Sequence, residues 1–307
     1  MKNWKKILTA FLIIVTAGMM TLNAQALYQL NNHAKTASAW GIGSATSTLY
    51  NSFDGIFQNP ALMANSPKFY HLNYTNFVLD INTTTLNVGL KNRFFNYAVS
   101  ISYMNFGDFT EKDIDGNPMG EFVANDKELS LVVAKPFGQY FSFGMSGSYL
   151  NSKINHASAT NLSGSVGMQF HYPKENLSIG LSLKNIDRQL DSYAGKTETL
   201  PNLWTLGVSK KLKYLPAVIS LDFLKYTDYD PIFNAGIKFE ANQYFNIMLG
   251  TSSRKFDLQN RTDLASLTAG ISGGIALNLR KFHLDMSYSS LGDAGEITSF
   301  SFYRTME

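Results

Sequence analysis

The feature that most constrains this chain is a series of short alternating runs whose polar face is built almost entirely from Ser, Gly and Asn. In NYAVSISYMN, Tyr97, Val99, Ile101 and Tyr103 point one way, and Asn96, Ala98, Ser100 and Ser102 point the other. In YFSFGMSGSYL, Phe141, Phe143, Met145 and Tyr149 oppose Ser142, Gly144, Ser146 and Ser148. In NLSIGLSLK, Leu177, Ile179, Leu181 and Leu183 oppose Ser178, Gly180, Ser182 and Lys184. A soluble sandwich buries its apolar face and usually shows Lys, Glu and Thr to water. Small polar residues behind an unbroken apolar stripe suit a crowded or watery interior enclosed by a lipid-facing wall, the pattern of a transmembrane β-barrel.

The connections give a second test. Tight turns are expected at residues 91–94, 136–139, 173–176, 213–216, 241–244 and 278–281. Generally longer loops fall between them, near 79–83, 106–126, 152–158, 187–201, 227–231, 256–263 and 290–295. Six turns and seven loops separate fourteen strands, an even count that returns both chain ends to one side. The expected fold is therefore all-β, an antiparallel transmembrane barrel of fourteen strands. A large secreted sandwich or propeller is the competing architecture; it would have to pair every apolar stripe inward, and no propeller-like repeat appears.

The first residues put Lys2, Lys5 and Lys6 before an apolar run that ends at Ala24-Gln25-Ala26. This reads as a secretory signal peptide over 1–26, its apolar run being shorter than the roughly 20 residues of a spanning helix. The remainder divides into an N-terminal hatch segment, 27–67, and the barrel, 68–307. The chain has 26 basic and 23 acidic residues, so removing the three lysines leaves 23 against 23, which gives no support for nucleic-acid binding. With no cysteine, disulfide and thiolate chemistry are excluded.

No catalytic constellation emerges. The histidines, His33, His71, His156, His171 and His283, lack metal-ligand spacing, and no nucleophile elbow, zincin pair or phosphate loop is present. Gly41 and Gly43 in WGIGSAT read as flexible backbone. No enzyme activity, cofactor or metal is expected. The Asp113 to Gly116 stretch has a calcium-like look, but without the remaining ligand spacing it reads as solvated loop. By strand parity Asp222, Lys238 and Asp285 face the lumen, lining a path or pairing with one another. Lys210 lies on the apolar side near a strand end, where it can snorkel.

The segment FDGIFQNPALMANS, Phe53 to Ser66, is compact and turn-forming. Pro60 fixes its own φ and disfavours helix at Asn59, whose side chain can bond nearby backbone. Placed ahead of the first strand, it can fold back into the barrel as a hatch, with Asn59, Pro60 and Ala61 as its motif and Asp54 as a capping or tethering acid. FQNPALM (57–63), HLNYTNFVLDIN (71–82), the block 103–131 and LPNLWTLGVSKKLKYLP (200–216) together resemble the PorV/PorQ family of the type IX secretion system, within the wider FadL-like barrels. In LNNHAKTA (30–37), Lys35 stands where that family usually has Arg.

The resemblance implies a non-enzymatic bacterial outer-membrane barrel, embedded in outer-membrane lipid, that helps process and attach exported cargo by docking a PorZ-like or PorU-like surface protein. The candidate docking residues are Phe106, Phe109, Asp113, Asp115 and Phe122 in the loop 106–126, and Asp187, Arg188 and Tyr193 in the loop 187–201. The alternative is a FadL-like channel for hydrophobic solutes, for which a Gly-rich strand break at Gly273-Gly274 would be a lateral opening.

Overall fold

The computed structural model describes residues 33–193, 200–227, 230–254 and 268–306. The signal peptide, the first residues of the hatch segment and the loop 256–263 lie outside the described residues, as do parts of the loops 187–201 and 227–231. The chain is a closed antiparallel barrel of fourteen strands, each paired with its sequence neighbours, with β1 (Lys68–Asn76) and β14 (Glu296–Met306) closing the ring. Closure satisfies every strand edge, which an apolar solvent requires of any spanning structure. Among the described residues no helix is long and apolar enough to cross a membrane.

Burial is inverted relative to a soluble protein. Ile101 is 55% exposed and Met145 64%, while Ser100, Asn73 and Thr205 are at most 1% exposed. The outer wall is a lipid-facing surface and the small polar residues are its interior.

β2 (Asn82–Lys91) and β3 (Asn96–Lys112) follow, then β4 (Pro118–Phe137), β5 (Phe141–Ile154), β6 (Ala157–Tyr172) and β7 (Leu177–Asp191). The circuit continues through β8 (Leu203–Lys211), β9 (Ala217–Tyr226), β10 (Ile232–Glu240), β11 (Phe245–Ser252), β12 (Ile271–Leu279) and β13 (Phe282–Ser290). The six tight turns fall where the sequence places them, at the end of the barrel that also holds the start of β1 and the end of β14, the end that in outer-membrane barrels faces the periplasm.

Three connections and one expected strand break differ from expectation; of the expected loop 187–201, residues 187–191 are the end of β7. Residues 106–126 are not a loop: β3 and β4 pair far beyond the other strands, leaving only residues 113–117 as a turn. Cross-strand Phe109 and Phe122 support this extension, and a shift of register between Asn105 and Asp108 marks where it departs from the wall. The expected loop 152–158 is a two-residue turn, Asn155-His156, with Asn155 at φ 51°. Gly273-Gly274 is no strand break, since β12 pairs continuously with β11 and β13 across it.

Candidate functional site

Residues 33–67 lie within the ring of strands. A short helix, α1 (Ala37–Gly41), contacts β11 to β14, and a 3-10 turn (Pro60–Ala64) contacts β3 to β6. Thr36 caps α1 by accepting from the Ala39 N–H at 3.1 Å, and Asn59 caps the 3-10 turn by accepting from the Ala61 N–H at 3.1 Å. Pro60 takes the first position, where a missing N–H costs nothing. Asn59 also donates through Nδ2 to the Ser47 carbonyl at 2.9 Å and the Met168 carbonyl at 3.2 Å, joining two parts of the hatch to β6. Asp54 accepts from Thr36 Oγ1 at 2.9 Å and Ser52 Oγ at 2.8 Å, tying the start of the hatch to its middle.

The hatch is largely irregular, so its backbone groups need partners, and the lumen face supplies them. Ser301 accepts from the Ala37 N–H at 2.9 Å, Ser209 donates to the Thr48 carbonyl at 2.9 Å, and Ser182 donates to the Gln58 carbonyl at 2.9 Å. Asp222 accepts from the Ser47 N–H at 2.9 Å and from Ser47 Oγ at 2.6 Å. Lys238 donates to Ser38 Oγ at 3.4 Å, and Asp285 is buried facing the lumen. Among the described residues, no ion pair joins Asp222, Lys238 and Asp285 to one another; Asp222 and Lys238 hold the hatch instead. The buried ion pair of the lumen is Lys35 with Glu128, at 2.9 Å and with both side chains at most 5% exposed. Lys210 pairs with Glu175 at the exposed inner end of β8.

The sequence reading missed how strand glycines admit the hatch. Gly144 pairs with Gly167, Gly180 with Gly207 and Gly236 with Gly250 across neighbouring strands. A Cβ at Gly144 would sit 2.4 Å from the Pro60 carbonyl carbon and oxygen, one at Gly236 2.4 Å from the Ile42 oxygen, and one at Gly250 2.1 Å from the Gly43 nitrogen. Gly43 is not flexible linker: it holds φ 65°, and a Cβ there would sit 2.7 Å from the Thr251 nitrogen. Recurrent Gly on the small face of several strands was the available signal.

Above the hatch, at the outer end of the lumen, lies a cavity of about 330 Å³. Its apolar lining includes Trp40 and Phe57 from the hatch, Phe77, Leu203, Leu224 and Ile232. His33, which packs on Phe77 at 4.8 Å between ring centres, stands at its edge with Lys184 and Arg254. Burial lowers the His33 pKa to about 4, and the nearby Arg254, Lys35 and Lys184 act in the same direction, so the ring is neutral at physiological pH.

The candidate docking residues do not form one free surface. Phe109 and Phe122 stack at 5.3 Å on the projecting hairpin, where Asp115 is exposed at the tip. Asp113 accepts from Asn117 Nδ2 at 3.0 Å and from the Asn117 and Asp115 N–H groups, and these donors, the Asn117 side chain foremost, hold its carboxyl below the usual carboxylate range. Phe106 and Tyr193 instead pack on Met104, Leu150 and Leu200. Asp187 accepts from Asn161 Nδ2 at 2.8 Å and the Leu200 N–H at 3.0 Å, while Arg188 is exposed on β7.

No family model matches this chain, and no curated protein does. Solved barrels do. The Pseudomonas putida toluene transporter TodX superposes with a TM-score of 0.61 at 11% identity, covering 88% of this chain and 96% of that one. The Ralstonia pickettii toluene transporter TbuX gives 0.60 at 9% identity, covering 89% and 98%. The CymD monoaromatic hydrocarbon channel gives 0.61 at 10% identity, covering 89% and 98%. At such identities the likeness is one of fold. It supports the FadL-like part of the resemblance and an outer-membrane type of barrel; the PorV/PorQ part has no counterpart among these three.

Proposed function

We infer that the protein is an outer-membrane barrel that admits small apolar solutes from the cell surface into the cavity above its hatch. The observation that carries this reading is the outward placement of an apolar-walled space of about 330 Å³, a volume suited to a compact hydrophobic molecule. The superposing barrels, two toluene transporters and a monoaromatic hydrocarbon channel, agree with it. Trp40 lines the cavity and serves as the reporter. Titrating the purified barrel with toluene should change Trp40 fluorescence saturably, and deleting the gene should slow uptake of such a solute. A linear, non-saturating response together with unchanged uptake would sink the reading.

A second reading keeps the sequence resemblance: a type IX secretion component that docks a PorZ-like or PorU-like surface protein. The projecting β3–β4 hairpin favours it, because Ile114 at 101% and Met119 at 70% exposure are apolar groups beyond the barrel wall. Loss of surface-attached cargo on trimming residues 108–121, with solute uptake intact, would replace the first reading by this one.

A further inference from the structure

The near balance of total charge conceals a strong segregation along the barrel axis. On the outer rim from β14 round to β4, the acids Asp108, Glu111, Asp115, Glu121, Asp293 and Glu296 dominate. On the inner rim, along the wider arc from β12 round to β4, stand Arg280, Lys281 and Arg304, at the ends of β12 to β14, and Lys91, Arg93 and Lys135, at the ends of β2 to β4. All six are exposed, and no acid lies on that inner arc among the described residues. On the opposite arc two of the four cations have acid partners, Lys210 with Glu175 at 3.5 Å and Lys211 with Glu240 at 2.9 Å, and the acids Glu175 and Glu240 stand on that rim beside Lys174 and Lys213.

The placement of two of these cations identifies what they face. Arg304 follows Phe300 and Phe302 on the lipid-facing side of β14, and Lys135 follows Leu129 and Leu131 on the lipid-facing side of β4. Each lies over an exposed ring at the edge of the apolar band, Arg304 over Phe282 at 5.8 Å and Lys135 over Phe95 at 5.5 Å. These heads therefore sit on the outer wall, at the depth of lipid headgroups, rather than only on turn tips where a soluble partner would approach. Like charges crowded along one arc repel, and an anion at that depth relieves them.

We propose that the inner rim from β12 to β4 is a binding arc for anionic phospholipid headgroups, whose acyl chains lie along the apolar wall and whose phosphates meet Arg280, Lys281, Arg304, Lys91, Arg93 and Lys135. The arc selects lipid and fixes the depth of the barrel at its periplasmic face. It is independent of what the lumen carries.

The test uses the full mature chain, folded in mixed micelles of phosphatidylglycerol and phosphatidylcholine, with the lipid retained per barrel measured by mass spectrometry. Phosphatidylglycerol should be retained in preference at low salt, and the preference should weaken as salt rises. The triple variant Arg280→Gln/Lys281→Gln/Arg304→Gln should lose it by about tenfold or more, whereas Lys210→Gln/Lys211→Gln on the opposite arc should keep it. Heat-modifiable gel migration checks that each variant is folded. Equal retention of both lipids by the native chain, or an unchanged preference in the folded triple variant, overturns the proposal. So does the capture of an acidic periplasmic protein through this arc without any lipid preference.

Discussion

The middle and the outer end of the lumen are built from the same strands, yet they treat the hatch in opposite ways. β8 carries Gly207 at mid-strand and Leu203 at its outer end; β10 carries Gly236 at mid-strand and Ile232 at its outer end. All four belong to the lumen face. Where the residue is Gly, hatch backbone meets strand backbone and the interior closes. Where it is Leu or Ile, the wall keeps its distance and a cavity remains above the hatch. One face of one strand can thus meet the hatch at mid-strand and leave a cavity further out, as the residue changes from Gly to Leu or Ile.

The largest way to break this contrast is to give the glycine seat at mid-strand a side chain. Gly236→Ala with Gly250→Ala places methyl groups within 2.4 Å of Ile42 and Gly43 backbone, which cannot rotate away. Each should cost about 1–3 kcal/mol of hatch seating, and the pair should raise single-channel conductance in planar bilayers as the hatch is displaced. An unchanged conductance would mean the hatch is not what closes the lumen.

Next in size is Lys35→Met, which removes the ion partner of the buried Glu128 carboxylate and leaves it with the Ser130 hydroxyl as a hydrogen-bond donor. Loss of about 3–5 kcal/mol is expected in urea unfolding, most of it recovered when Glu128→Leu is added. If the double variant is no more stable than the single one, the pair is not coupled.

At the open end, Leu224→Trp fills part of the cavity while keeping an apolar wall. Toluene binding should weaken about tenfold, equivalent to ~1.4 kcal/mol of lost apolar contact, with the barrel intact by heat-modifiable migration. Unaltered affinity would put the solute elsewhere.

The smallest effect is on pH dependence. The His33 pKa is lowered from 6.5 to about 4 in the folded chain, so between those values the unfolded chain binds a proton that the folded one does not. The stability that neutral His33 contributes is complete above pH 6.5 and is lost as the pH falls towards 4. His33→Gln should flatten that part of the stability curve, and an identical slope in the variant would remove His33 as its source.

The barrel was legible because its solvent imposes a period of two: Tyr97, Val99 and Ile101 face lipid while Ala98, Ser100 and Ser102 face inward. Turn positions followed from the residues that interrupt that alternation. The projecting hairpin was not legible, because Asn105 to Asp126 is rich in acids, Gly and Asn, and only the pairing of Phe109 with Phe122 shows that the same residues can continue as strands in water. In the hatch, the local behaviour of Asn59 and Pro60 was readable, since an Asn before a Pro caps a turn through its own neighbours. Its long-range partners were not, because Ser47 and Asp222 lie 175 residues apart and nothing local marks them as a pair.

The amino-acid sequence by itself determined the class of wall, the number of its strands and the side of each that meets lipid, because these depend on alternation along single strands. Only the tertiary structure decided that Lys35 pairs with Glu128, that Asp222 holds hatch backbone, that strand glycines form a seat, and that a cavity stands above it. Those features arise where the closed ring brings distant segments face to face, and the size and charge of each side chain acquire their meaning only from what stands opposite.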